Sequence, residues 1–475
     1  MYRNGYYVKK TKDNSDEIVK LKNELTVKPY GPPQFMKDEK PFGVYQETDE
    51  YLIIPKYFAK EKLGKELDKI KYKKNKSKLK FTKELREYQN EIVETSLNKL
   101  KTGKGGLISL PCGQGKTVIS LYLACQLKKK TLVIVHKSFL MNQWRERIEQ
   151  FTNAKIGEIR QDKIQVEDCD IVLGMLQSIS KDKYTEELFK QFGLVIFDEA
   201  HHAPSRYFSK ALPIISSEYM LALSATPKRA DRLEKIIHWY FGPIIYQIKD
   251  NRKINVLVKM YNYHTSHKSF KESMMAYGTE VNRPRTITKI VKLKKRNKFI
   301  VGLIKELYEE EGRKILILSD RIIHLEMLKE LLDKEELTDN DYYIGKMKQK
   351  DLDESSKRKI ILGTYSMASE ALDIPELNTL FMVTSRRSIE QSVGRILRKP
   401  DGLIQPIIVD INDKLDCFDR QGSFRRNYYR KKGYEIMIYD MNDNEIVDSY
   451  EDKGKKSFKA KEFKKIDLDD VDFVD

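Results

Sequence analysis

At 475 residues the chain has room for about three domains of roughly 150 residues, each with a buried core. It is 40% apolar and 34% charged, and its 27 Tyr and 19 Phe exclude a disordered polymer, while no apolar run approaches the ~18–20 residues of a membrane span. Lys and Arg (89) outnumber Asp and Glu (71), and the net charge of +18 favours polyanionic partners, nucleic acid before an anionic membrane surface.

Residues 1–80 read as a small basic N-terminal accessory region. Tyr51–Pro55 (YLIIP) suggests a short strand, and Lys56–Lys83 is opposed only by Glu61, Glu66 and Asp68. That stretch is either a solvated segment or a basic surface for a phosphate backbone. From Phe81 onward short apolar runs appear at Gly106–Leu110, Thr131–Val135, Asp170–Gly174, Gly193–Asp198 and Met220–Thr226, with helical spacing at Val118–Leu127 and Phe139–Phe151. Continuous apolar strands alternating with helices predict a parallel sheet covered on both faces. The rhythm weakens over 250–287, which reads as a linker. It resumes at Lys314–Asp320, a helix around His324–Leu332, Lys359–Tyr365, Thr379–Ser385, a helix at Ile389–Leu397 and Pro406–Ile411. The fold class is therefore α/β, with tandem domains over 81–249 and 288–440 and a charged tail over 441–475. Four widely spaced cysteines (Cys112, Cys125, Cys169, Cys417) form no CxxC pair, which predicts a reducing compartment, cytoplasm or nucleus. The N-terminal stretch has no apolar core of a secretory signal.

The segment Leu110–Thr117 (LPCGQGKT) lies between a strand and a helix, where backbone N–H groups and a helix N-terminus can face phosphates. Gly113 and Gly115 allow close approach, Lys116 supplies charge to the β and γ phosphates, and the Thr117 hydroxyl suits Mg²⁺. Pro111, Cys112 and Gln114 complete the nucleotide-binding loop, although Leu110 stands where the usual pattern has Gly. The strand ending in Asp198–Glu199–Ala200–His201–His202 supplies an acidic pair. Asp198 is predicted to hold Mg²⁺, and Glu199 to polarise the attacking water.

This order of motifs resembles the superfamily-two helicases of the DEAH type, over roughly residues 81–435. That resemblance implies two RecA-like domains closing on ATP. It also implies that Gln89 in LREYQ reads adenine, that Ser224 and Thr226 of SATPKR, with His201 and His202, couple the nucleotide to the domain gap, and that Thr364, Glu370 and Asp373 belong to a second-domain motif. QSVGRILR (Gln391–Arg398) is similar to the arginine-finger motif, with Gln391 at the nucleotide and Arg395 and Arg398, three apart on one helical face, reaching the γ-phosphate. Backbone contacts to nucleic acid are expected at His136–Lys137–Ser138, Gln177–Ser178 and Thr364–Tyr365. Trp144 and Tyr365 are candidates for base stacking, with core packing the other reading of Trp144.

LPCGQGKT and the stretch Leu223–Tyr246 are similar to the XPB-type branch, but Arg229–Ala230–Asp231 lacks the Glu of that branch's Arg-Glu-Asp element. Residues Asp49–Ala59, Leu372–Phe381 and Asn427–Ile436 also resemble transcript-release helicases of poxviruses and other large DNA viruses. The resemblance implies an ATP- and Mg²⁺-dependent monomeric translocase, on DNA in preference to RNA. An RNA polymerase or repair complex would be its protein partner, and packaging in a virion is left open. The alternatives are an RNA helicase or a catalytically silent nucleic-acid scaffold, the latter opposed by the intact Lys116, Thr117, Asp198, Glu199, Arg395 and Arg398.

Overall fold

A computed structural model describes residues 5–31, 39–64, 77–111, 113–181, 183–229, 231–248, 254–275, 280–345, 347–370, 372, 374–397 and 404–441. The chain divides into two units, Met1–Asp250 and Asn251–Asp475.

In the first unit an eight-stranded sheet runs in the order Ile244–Gln247, Gly105–Ser109, Tyr219–Ser224, Leu194–Phe197, Thr131–Val135, Ile171–Met175, Ile156–Arg160, Lys163–Gln165. Every pairing is parallel except the last hairpin. The strands Gly105–Ser109, Thr131–Val135, Ile171–Met175, Leu194–Phe197 and Tyr219–Ser224 are buried throughout. Sheets covered on both faces select such unbroken apolar runs. One face packs on Ile92, Ile119, Leu123, Trp144 and Ile148, the other on Phe58, Ile236, Trp239 and Phe241.

The N-terminal region is built into this unit. Tyr6–Lys9, Tyr51–Ile54 and Gln46–Glu47 form a small antiparallel sheet, followed by the helix Lys56–Leu63. That helix corrects the reading of Lys56–Lys83 as solvated at its start: Lys56, Tyr57, Phe58 and Ala59 are all buried. Lys56 Nζ donates to Ser217 O at 2.9 Å, Tyr57 OH to Gly103 O at 2.9 Å, and Phe58 meets Trp239 edge to face. The two lysine-to-tyrosine positions look polar by residue type, yet their long stems and rings are apolar and only their tips find carbonyls. Residues 65–76 of the lysine-rich stretch lie outside the described residues.

The second unit holds a seven-stranded, wholly parallel sheet in the order Asn340–Tyr343, Ile360–Thr364, Ile315–Ser319, Thr379–Met382, Ile407–Asp413, Leu257–Tyr263, Glu435–Tyr439. Leu257–Tyr263 corrects the expected linker over 250–287, because it pairs with two strands of this sheet. Its sequence LVKMYNY interleaves Lys and Asn with apolar residues, which masked it as a strand. The helix expected at Ile389–Leu397 is short, Glu390–Val393, and gives way to turn at Gly394. Two buried bidentate ion pairs brace the sheet: Arg296 on Asp413 at 2.7 and 2.8 Å, and Arg425 on Asp410 at 2.8 Å twice. Tyr429 OH also donates to Asp410, and Arg425 to Ser385 Oγ and Arg386 O, so the acceptors of this buried charge cluster are shared out. The expected tail beyond Met441 lies outside the described residues, and among the described residues no helix is long and apolar enough to cross a membrane.

Candidate active site

Three neighbouring parallel strands, Gly105–Ser109, Tyr219–Ser224 and Leu194–Phe197, deliver the phosphate loop, the SATPKR segment and the acidic pair from one edge of the first sheet. Carboxyl ends of parallel strands are where open α/β sheets take ligands. Gly113 and Gly115 both adopt positive φ (81° and 76°), and Gly115 caps the helix Lys116–Leu127. A Cβ on Gly115 would meet Gln89 Nε2 at 2.3 Å. Gln89 is buried and accepts from the Arg86 N–H through Oε1 at 3.1 Å, so the expected adenine-reading residue is fixed directly against the phosphate loop. Lys116 Nζ donates to Leu110 O at 3.1 Å, which turns its ammonium back over the loop.

Asp198 is buried and its carboxyl is pushed up to about 6, chiefly by burial and then by the Glu199 charge, against the pull of Trp144 and Lys116. Its Oδ2 accepts from the Trp144 indole N–H at 2.8 Å and its Oδ1 from the Glu199 N–H at 3.0 Å. Glu199 takes a left-handed conformation, φ 47°, unusual for a residue with a side chain, and its Oε2 is buried without a hydrogen bond. The buried Asp198 carboxylate, the partly buried Glu199 beside it and the Lys116 charge form a site that a hard divalent cation fits, and Thr117 in the first turn of the helix Lys116–Leu127 offers a further oxygen.

His201 Nδ1 stands 3.3 Å from Ser224 Oγ and 3.3 Å from Glu199 Oε2, and Ser224 Oγ accepts from the Thr226 N–H at 3.2 Å. Of the expected coupling residues, His201 thus touches the acidic pair, and Ser224 and Thr226 connect to it through His201. His202 stacks between His201 and His136, with ring centroids 4.3 and 3.9 Å apart. Gln177 Nε2 donates to His136 O. This row of imidazoles links the acidic pair to the Lys137 segment, and the part played by His136 had no signal beyond its place at a strand end. Arg229 donates to Asp231 in its own segment and to His201 O beside the acidic pair; Ala230 lies outside the described residues.

Trp144, weighed as a base-stacking residue, is instead buried against Asp198. Tyr365 is corrected likewise: it is 1% exposed, its OH donates to Thr384 O at 2.7 Å, and Arg386 lies over its ring, so no face is open to a base. Its hydroxyl needs a buried partner and finds it inside the second unit. Thr364 sits partly exposed at the end of its strand, its Oγ1 3.2 Å from Ser366 Oγ, and Lys137 is partly exposed with its ammonium over Phe139. Arg395 is largely buried and its Nη1 donates to Leu372 O at 2.9 Å. Glu370 ends the helix Tyr365–Glu370 and Gln391 lies in the helix Glu390–Val393. Cys112, Asp373 and Arg398 lie outside the described residues.

Comparison with known proteins agrees with this reading. Residues 82–229 match the family described as Type III restriction enzyme, res subunit, and residues 295–399 the Helicase conserved C-terminal domain. A protein of Acanthamoeba polyphaga mimivirus, "Putative ATP-dependent RNA helicase L396", is 40% identical over 448 residues, covering 92% of this chain and 86% of its own. The chain belongs to the superfamily-two helicases. It is also 28% identical to the "DNA 3'-5' translocase XPB2" of Sulfurisphaera tokodaii, over 74% of this chain and 87% of that one. The solved structure "S. cerevisiae Dbp5 bound to RNA and ADP BeF3" shares the fold with a TM-score of 0.51 at 11% identity, covering 71% of this chain and 86% of that one. The helicase is thus an ATP-hydrolysing enzyme of two RecA-like domains that acts on nucleic acid, and it has relatives in large DNA viruses.

Proposed function

We propose that this helicase is an Mg²⁺-dependent, ATP-driven translocase that moves along DNA and separates its strands. The observation that carries the reading is the burial of Asp198, with the half-buried Glu199 beside it, one strand away from the SATPKR segment and two from the phosphate loop, with Lys116 acting electrostatically on Asp198. In this mechanism the N–H groups of the loop around Gly113 and Gly115 receive the phosphates, and the Lys116 ammonium turns from Leu110 O to the β and γ oxygens. Thr117 and Asp198 would hold the cation, which would supply positive charge to offset that of the β and γ phosphates. Glu199 orients and polarises the attacking water through its carboxylate. As the γ-phosphate leaves, the Glu199–His201 contact and the hydrogen bonds His201–Ser224 and Ser224–Thr226 carry the change toward SATPKR, and the neighbouring rings of His202 and His136 carry it toward Lys137. Arg395 and Arg398 are assigned to stabilising the γ-phosphate in the transition state.

Support for DNA comes from the XPB-like phosphate loop and the XPB2 relative; 3′-to-5′ polarity rests on the same likeness. A second reading, RNA as substrate, is favoured by the name of the mimivirus relative. Strand displacement with forked DNA, an RNA–DNA hybrid and an RNA duplex, beside ATPase stimulation by each single strand, tests both. Unwinding of forked DNA with little effect on RNA duplex is expected; the reverse pattern overturns the DNA assignment.

A further inference from the structure

A cavity of about 850 Å³ opens within the second unit, walled by the helix Arg283–Ile290, the turn after it, the start of the helix Lys294–Glu309 and Arg321 beyond the strand Ile315–Ser319. Its cationic walls are Arg285, Lys289, Lys292, Lys294, Lys295 and Arg321, and no Asp or Glu occurs among the described residues that line it. A concentration of like charge without carboxylates opposes folding by self-repulsion, so its presence asks for an anionic occupant. Burial and the neighbouring Lys271 charge both hold Lys289 below the usual lysine range, in keeping with that crowding.

The cations divide into two roles. Arg321 is spent on neutral oxygens: Nε donates to Thr288 Oγ1 at 3.0 Å, Nη2 to Pro284 O at 3.0 Å and Nη1 to Asp320 O at 2.9 Å. It ties the helix Arg283–Ile290 to the end of the central strand and keeps its charge. The others follow one another along the chain over a helix, a turn and the start of the next helix. Arg285 and Lys289 are four residues apart on one helix, hence on one face and about 6 Å apart. Lys292 follows in the turn, and Lys294 and Lys295 open the next helix. Cations spread over three successive segments, mostly lysines on flexible stems, suit successive point charges along a polymer better than one compact anion held by converging forks. Tyr263 in the lining is 1% exposed, so its ring gives no stacking platform for a base, and among the described lining residues the exposed ring is the His267 imidazole.

We propose that this cavity seats consecutive phosphates of a nucleic-acid strand, giving a sequence-independent grip additional to the positions that the motifs single out. The proposal rests on the nucleic-acid-motor reading above. Phosphate contacts release counterions, so each one adds to the salt dependence of binding.

The test is fluorescence anisotropy of the full chain with labelled single-stranded DNA and RNA, titrated with KCl, for the wild type, the Lys289→Gln/Lys292→Gln pair and the corresponding Glu pair. Loss of two contacts should make the slope of log K against log salt shallower by about 1.4, alike for mixed and homopolymer sequences. Thermal unfolding checks that each variant folds, and the Gln pair serves if charge reversal does not. An unchanged slope with affinity within about twofold overturns the cavity assignment alone. So does inorganic tripolyphosphate binding that the variants lose while keeping strand affinity, which would make the cavity a small-anion site. A wild type that binds neither strand at low salt overturns the parent reading together with this one.

Discussion

The indole N–H of Trp144 donates to the Asp198 carboxylate at 2.8 Å, with both side chains buried. Trp144 lies on the helix Ser138–Phe151, which starts directly after Lys137, an expected backbone contact. The same helix therefore joins that expected contact at its start to the acidic pair half-way along. Trp144→Phe keeps the ring and removes the donor. A hydrogen bond to a charged group is worth about 1.5–3 kcal/mol, so ATP turnover should fall on the order of tenfold and half-maximal activity should need more Mg²⁺. Steady-state ATPase over a magnesium titration reads both; an unaltered curve would remove Trp144 from any positioning role.

Lys116→Ala is expected to abolish ATP turnover while nucleic-acid binding persists, since its ammonium belongs to the phosphate loop, where it donates to Leu110 O. Phosphate-release kinetics and strand-binding titrations on one preparation check this. Retained hydrolysis would refute the loop assignment.

Gly115→Ala places a Cβ 2.3 Å from Gln89 Nε2 at a φ of 76°. The left-handed backbone alone costs roughly 1–2 kcal/mol for a residue with a side chain, and Gln89 must shift as well. The KM for ATP should rise about tenfold. Adding Gln89→Ala relieves the clash and should give a non-additive double-mutant cycle, measurable by nucleotide titration.

Arg395→Ala and Arg395→Lys should both lower kcat by about 10³ with nucleic-acid affinity retained, as loss of an arginine finger does. Arg395 also holds Leu372 O, so thermal unfolding of both variants accompanies the kinetics. A drop in strand affinity with kcat preserved would place Arg395 outside the nucleotide chemistry.

His324 is fully buried; Asn297 Oδ1 lies 3.2 Å from Nε2 and Ser319 Oγ 3.0 Å from Nδ1. Asn297 Nδ2 donates to Val291 O, which turns Oδ1 toward the ring and makes Nε2 the proton-bearing nitrogen. Burial, followed by the Arg296 charge, holds its pKa well below 6.5. Below that value the unfolded chain takes up a proton that the folded chain refuses, so stability falls as pH falls, by up to about 1.4 kcal/mol per pH unit. His324→Gln should remove this part of the slope. Urea unfolding between about pH 5 and 7 measures the difference between the two proteins, and equal slopes would count against it.

The nucleotide site was legible because its chemistry is local. Strand, glycines, Lys116 and Thr117 are contiguous, and the pair Asp198–Glu199 ends an unmistakable apolar run. The second sheet was only partly legible. Leu257–Tyr263 alternates Lys and Asn with apolar residues, and nothing in it announces a strand lying between Ile407–Asp413 and Glu435–Tyr439. Lys56 and Tyr57 were likewise hidden, because residue type says nothing of which carbonyl a long side chain will reach.

Tyr365 and Trp144 show the same limit from the other side. An aromatic residue at a strand end or on an amphipathic helix is compatible with stacking on a base or with burial, and only packing decides; here Thr384 O and the Asp198 carboxylate claim their polar tips.

By itself, then, the order of residues determined the parallel α/β architecture and the presence of a phosphate loop with an acidic pair, since apolar runs, glycine torsions and motif spacing act over a few residues. Only the tertiary structure decided that Trp144 reaches Asp198 across 54 positions and that His136, His202 and His201 stack in one row. It alone also gathered six cations around one cavity. These relationships depend on which strands become neighbours in a sheet, and that is settled by the burial of the whole core rather than by any local stretch of chain.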